Sequence, residues 1–397
     1  MNTKLDANRR RFLVTSAGGA AAVGLGSLAP AALAQGKPLP GFASWKDADR
    51  LIVYSASGIE TKREAFGTSI ITDNKILFVR NNVAAPDASI VANRDAWRVE
   101  IDGVTSPRAI TVGELKTLGL ETVPMVLQCS GNGRAFFSHK ASGSPWKVGA
   151  AGCSLWSGVP LKAVVEALGG VRQGMRYMTS IGGEVFPAGI DPKSVMVERS
   201  VPWNVMERAI LAWELNGEPI PLAHGGPLRL IIPGYYGINN IKYVKRLAFT
   251  PDETTANIQS SGYRVRPIGQ KGAPTQTSMW EMNLKSFVTS PAGDGPVRAG
   301  LVQVHGVAFS GDSAVKGVDV SLDGGASWRP ASFFGPLLGP YAWRQFVLPV
   351  RLSAGSYTIT SRATAYDGTV QPELRVENER AYAHNGWRDH AVKVTVA

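Results

Sequence analysis

Cys129 is the residue with the most chemistry to explain. It is one of two cysteines in 397 residues, the other being Cys153. It stands in VLQCSGNGR, residues 126–134, where an apolar run meets a small, glycine-containing turn. Three roles compete for such a thiol. A nucleophile needs a histidine base and an orienting partner; His139 is nearest in sequence, and nothing local marks the pair. A disulfide would join Cys129 to Cys153, as an oxidising compartment invites. A lone thiolate also suits a soft metal, but one protein thiolate cannot hold a metal by itself, so that role requires an organic cofactor. The chain has no C-x-x-C, C-x-x-C-H or H-E-x-x-H, which removes simple zinc, iron–sulfur and c-type haem signatures.

The elements that must carry this thiol alternate strands with short helices. PMVLQC reads as a buried strand that delivers Cys129 to its turn, and KILFVR as a strand ending in Arg80. WRVEIDG alternates apolar and polar positions. TVGELKTLG is a short helix opened by Thr111 with Glu114 three residues on, the pattern of a capping box. PLKAVVEALGG is a helix stopped by Gly169, and RAILAWELNG and PLRLIIPG are strands around a turn at Asn216-Gly217. Residues 76–252 therefore form one mixed α/β domain, preceded by a lead-in at 35–75. Residues 253–284 are polar and Gly-rich and read as a linker, although Tyr263 between arginines is unusual there. From 285 to 397 short alternating runs recur, among them LVQVHGVAF, GVDVSLDGG and AVKVTV, which suggests an immunoglobulin-like β-sandwich.

Residues 1–34 differ from the rest. NRRRFLVT precedes a small and apolar run ending in Ala32-Leu33-Ala34, so a charged start, an apolar middle and an A-x-A site are all present. Arg9-Arg10 followed by Phe12-Leu13 resembles a twin-arginine signal, which implies export of an already folded protein to the periplasm. Lys4, Arg9, Arg10 and Arg11 against Asp6 give this segment +3, so about +8 of the formal +11 belongs to the remainder. The basic residues are dispersed, which argues against nucleic acid and for an anionic substrate or an acidic partner. No apolar stretch beyond residue 40 is long enough to span a membrane.

Several separated stretches, in order, resemble the sulfite oxidase family of molybdenum enzymes. They are Arg80-Asn81-Asn82 with Pro86, Leu127-Gln128-Cys129-Ser130-Gly131-Asn132, PWKVGAAGCSLWSGVPL from Trp146, AHGGPLRLIIPGYYGINNIKYVKRL and GVDVSLDGGASW. The resemblance implies an α+β chain: a mixed α/β molybdopterin domain followed by an immunoglobulin-like dimerisation domain, in a homodimer. It makes Cys129 the molybdenum ligand and leaves Cys153 a buried small residue. It places Arg80, Arg380, Tyr263 and Trp146 around the substrate anion, and Asn82, His224, Arg229 and Lys242 on the molybdopterin cofactor. Arginine suits sulfite because its charge is permanent and its donors planar. The family often has His at position 82, and an asparagine there cannot titrate; its animal members have two arginines where this chain has Gly133-Arg134, and carry a haem domain with no counterpart here. The implied activity is oxidation of sulfite to sulfate, with electrons passed to an external c-type cytochrome, because no haem or second redox centre is encoded. Two other enzymes share the thiolate ligand: the sulfane dehydrogenase of the thiosulfate-oxidising complex and a methionine sulfoxide reductase subunit. A cofactor-free immunoglobulin-like binding protein is the non-enzyme alternative.

Overall fold

The computed structural model describes residues 37–397, and the twin-arginine pattern lies outside them. The supposed lead-in is part of the fold. Leu51–Ser55 (β1), Gly58–Thr61 (β2) and Val79–Arg80 (β3) make a three-stranded sheet on which Ile59 and Val79 are fully buried. Only the last two residues of KILFVR are strand. The preceding residues turn, with the amides of Ile76 and Leu77 both donating to Asp73 O, and this turn buries both side chains.

Arg98–Asp102 (β4) and Arg108–Thr111 (β5) form a hairpin leading into the helix Val112–Leu115. That helix carries the expected capping box: Thr111 Oγ1 accepts from Glu114 N, and the Glu114 carboxylate accepts from Thr111 N. Glu121–Gln128 (β6) pairs antiparallel with Ala151–Pro160 (β7), setting Val126 opposite Cys153. The helix Leu161–Ala167 follows, and the chain leaves it through Gly169 and Gly170, at φ of +80° and +85°, which non-glycine residues rarely adopt. Tyr177–Gly182 (β8), Glu198–Pro202 (β9), Ile210–Leu215 (β10), Glu218–Pro219 (β11), Arg229–Ile231 (β12) and Val244–Thr250 (β13) complete the domain. One sheet runs β11-β10-β7-β6 with β12 also on β10; the other runs β5-β4-β13-β8-β9. The Asn216-Gly217 turn joins β10 to the two-residue β11, whereas PLRLIIPG returns later as β12 on β10. The α component is thin: among the described residues the two α-helices have four and seven residues.

The segment 253–284 is packed, not a free linker. Gln259 and Arg264 are buried, and the Arg264 guanidinium pairs with Glu253. A five-residue wide turn, Ile258–Gly262, of the π type that favours functional sites, sets Tyr263 facing inward.

Lys285–Ser290 (β14), Gly300–Phe309 (β15), Val315–Ser321 (β16), Arg329–Pro330 (β17), Ser332–Phe334 (β18), Arg344–Leu352 (β19), Gly355–Ala365 (β20) and Val392–Val396 (β21) form the sandwich. Its sheets run β14-β15-β19-β18 and β17-β16-β20-β21, facing each other over Val304, Val320, Phe346 and Ile359, all fully buried. A separate apolar cluster, including Phe66, Cys153, Tyr236, Phe287, Trp343 and Tyr382, welds the two domains together. Both cysteines are free thiols.

Candidate active site

Cys129 leaves the end of β6 half-buried, in a turn held from several sides. Its amide donates to Ala150 O at 2.9 Å, and its carbonyl accepts from Asn132 N at 3.0 Å. The Asn132 side chain accepts from Ala150 N and donates to Val148 O and Gln128 Oε1. Gly133 sits at φ +105°, and a Cβ there would fall 2.4 Å from the His384 ring, so both conformation and space require glycine. Glu60, from the supposed lead-in, accepts from the amides of Lys147 and Gly149 at 2.9 and 2.8 Å. It thereby fixes the loop against which the Cys129 turn rests.

Two cavities meet at Cys129, and both are also lined by Arg80, Asn82 and Tyr263. The inner one, about 60 Å³, adds His224, Arg229, Lys242 and Glu184. His224 and Arg229 are buried, and Lys242 Nζ donates to Asn81 Oδ1 and Ala223 O at 2.6 Å. Lys46 Nζ stands 3.2 Å behind His224 Nε2. Burial is the main force on all four basic groups. It brings Lys46 down to about 7 and Arg229 to about 9. His224 and Lys242 lie well below their ordinary values, each pushed further by the neighbouring cations. Desolvated basic groups crowded together hold their charge poorly unless an anion joins them. Glu184 Oε2 is buried with no hydrogen-bond partner among the described residues, an orphan that a ligand donor would satisfy. A phosphate group fits this donor set.

The outer cavity, about 230 Å³, adds Arg134, Arg380 and Tyr382. None of its lining residues is a carboxylate, and three arginines face it. Arg80 Nη2 donates to Asn82 Oδ1 at 2.7 Å, so Asn82 orients Arg80 while standing exposed between the cavities. Arg380 Nη1 reaches Ser142 Oγ at 3.2 Å, and its Nε is buried without a partner. Tyr263 stacks on Tyr382 with ring centroids 4.9 Å apart. Burial, then the neighbouring Tyr382, raises the Tyr263 phenol above its usual range, so it stays protonated as a donor.

The tertiary structure thus brings Arg80, Asn82, Cys129, Tyr263 and Arg380 to one place, with His224, Arg229 and Lys242 beside them. Trp146 is the exception. It is fully buried against Tyr54 and Phe78 and lines neither cavity. Its indole N–H has no partner among the described residues, and the ring packs in the core cluster with Leu77, Met125 and Trp156. Sequence reasoning noted Arg134 without giving it a role and passed over Tyr382, Glu184 and Lys46. Arg134 was reachable as the charge five residues after the cysteine; the other three carry no local signal.

Residues 85–258 match the oxidoreductase molybdopterin binding domain, and residues 276–397 match the Mo-co oxidoreductase dimerisation domain. The chain is similar to mitochondrial sulfite oxidase of Homo sapiens, 28% identical over 363 residues, covering 85% of this chain and 64% of the human protein. It spans a little under two thirds of that relative's length. The sulfite oxidase of Gallus gallus is 28% identical over 83% of this chain and 74% of its own. A nitrate reductase of Hordeum vulgare is 30% identical over 82% of this chain and 39% of its own. Among solved structures, the sulfane dehydrogenase SoxCD from Paracoccus pantotrophus superposes with a TM-score of 0.72 at 26% identity, over 87% of this chain and 88% of that one.

Proposed function

The chain belongs to the sulfite oxidase family of molybdenum enzymes, and on that premise we propose that it oxidises sulfite to sulfate and passes the electrons to an external c-type cytochrome. One observation carries this reading: a half-buried thiol stands where a basic inner cleft meets a three-arginine outer cavity free of carboxylates. Cys129 would ligate the metal, while His224, Arg229 and Lys242 would hold the pterin phosphate. The bound molybdopterin centre supplies two-electron oxygen-atom chemistry. The protein supplies the rest. Arg80 and Arg380 compensate the charge of the sulfur oxyanion, Tyr263 donates a hydrogen bond from a phenol that burial keeps protonated, and the apolar wall behind Cys129 limits water.

We also propose a homodimer formed through the sandwich, a protein without haem, and export to the periplasm in folded form. The export proposal rests on the sequence of residues 1–34 alone. Metal analysis of the purified protein, with steady-state kinetics on sulfite, thiosulfate and nitrate, tests the reading. About one molybdenum per chain and sulfite-dependent reduction of ferricyanide and cytochrome c are expected. A metal-free protein that still turns over sulfite would refute it. A second reading, oxidation of sulfane sulfur, is favoured by the outer cavity, whose 230 Å³ exceeds the space of a small oxyanion. Turnover of thiosulfate or a longer sulfane, but not of sulfite, would select it.

A further inference from the structure

The turn that presents Cys129 is gripped by the sandwich domain. Ala383 N donates to Ser130 O at 3.0 Å. Lys285 Nζ donates to Asn132 O at 3.2 Å. The His384 ring occupies the space above Gly133 that a Cβ would take. Three successive parts of the turn thus rest on a domain more than 150 residues away in sequence.

Lys285 is the unusual member. It begins β14, has no solvent exposure, and among the described residues its amino group reaches one hydrogen-bond acceptor, the Asn132 carbonyl. Burying a lysine is expensive, and such groups persist where they perform a task. The Asn132 carbonyl belongs to the peptide unit between Asn132 and Gly133, and the Asn132 amide closes the turn onto Cys129 O. A donor at that carbonyl adds a constraint on the peptide next to the one that closes the turn on Cys129. His384 is itself tethered. His390 Nε2 lies 3.1 Å from His384 Nδ1, His384 Nε2 lies 2.9 Å from Asp389 Oδ2, and Asp389 binds both oxygens to Arg375 Nη1 at 2.9 Å. The grip is a braced structure and not one loose contact.

We propose that Lys285 is a positioning residue for the Cys129 turn, so that docking of the sandwich domain fixes the geometry of the thiolate. The inference rests on Cys129 being the metal ligand, yet the turn's rigidity can be measured independently of that assignment. The test compares full-length, cofactor-loaded Lys285→Met, which removes the donor, with Lys285→Gln, which keeps a neutral donor. Three readouts apply: sulfite kinetics, the visible thiolate-to-metal absorption band, and hydrogen exchange of a peptide covering 126–136. Lys285→Met is expected to lower kcat about tenfold, leave KM within about twofold, shift the band and speed exchange in that peptide. Lys285→Gln should recover most of each. Wild-type exchange and band in a folded Lys285→Met protein would overturn the proposal, as would a Gln variant no better than Met in exchange. If Cys129→Ser keeps the band, the ligand reading has failed; faster exchange in Lys285→Met would still support the grip.

Discussion

Replacing Arg380 with Gln isolates one of the charges that face the outer cavity. The side chain is half-buried, lines the outer cavity and donates to Ser142 Oγ. Its carbonyl, which accepts from Arg134 Nε at 3.3 Å, is backbone and survives the substitution. The loss should therefore be confined to the guanidinium. A charged hydrogen bond contributes about 1.5–3 kcal/mol. Partial exposure puts Arg380 toward the lower end, and because 1.4 kcal/mol is tenfold, kcat/KM for sulfite should fall about 10- to 30-fold. Most of the change should stand in KM, since Arg80 and Arg134 still orient the anion. Arg388, an exposed partner of Glu373 outside the cavities, is the control, and Arg388→Gln should change kcat/KM less than about twofold. Stopped-flow reduction of the enzyme by sulfite, at several salt concentrations, measures both. If Arg380→Gln binds sulfite like the wild type, the outer cavity is not the anion site and the placing of the three arginines is wrong.

Cys129→Ser should abolish turnover, because an alkoxide is a harder, more weakly matched ligand than a thiolate. Cys153→Ser should keep kcat but cost about 1–3 kcal/mol of stability, measured by denaturant titration, since it buries a hydroxyl in the interdomain core. Trp146→Phe should lower the melting temperature while leaving the sulfite KM unchanged; a large KM effect would return the indole N–H to the anion site. Cofactor retention should depend on pH. Burial holds Lys46, which stands behind His224 at 3.2 Å, at about 7, and a phosphate held by His224 would raise that value. Binding then takes up protons above pH 7, so affinity weakens as pH rises from 7 toward 10. Molybdenum content after prolonged dialysis at pH 7 and pH 9 measures this, and equal retention at both would count against the cradle.

Local features were readable in sequence wherever a residue acts on its own neighbours. The Thr111–Glu114 capping box and the glycines after Ala167 depend on contacts within a few residues, and the sandwich strands are legible because their side chains alternate. Type and spacing fix them. The boundaries that failed were set by long-range packing. KILFVR is mostly turn because Ile76 buries itself against the small sheet and Leu77 against the sheet that carries β6 and β7, and parts of the polar segment 253–284 are buried because Arg199 and Arg264 find partners there. The burial of Trp146 was hidden for a related reason: an indole in a motif looks the same whether its N–H faces a cavity or the core.

The sequence alone determined the chemistry on offer, which is one thiol in a glycine turn, a set of arginines and a basic stretch from His224 to Lys242. Only the tertiary structure decided which of these meet. Arg80, Cys129, Tyr263 and Arg380 are separated by up to 300 positions, and the turn of Cys129 is braced by Lys285 and His384 from the other domain. No local pattern encodes such meetings, because a carbonyl that accepts from a distant lysine is written in the sequence like any other carbonyl. Its partner is chosen by the apolar cluster that closes the two domains on each other.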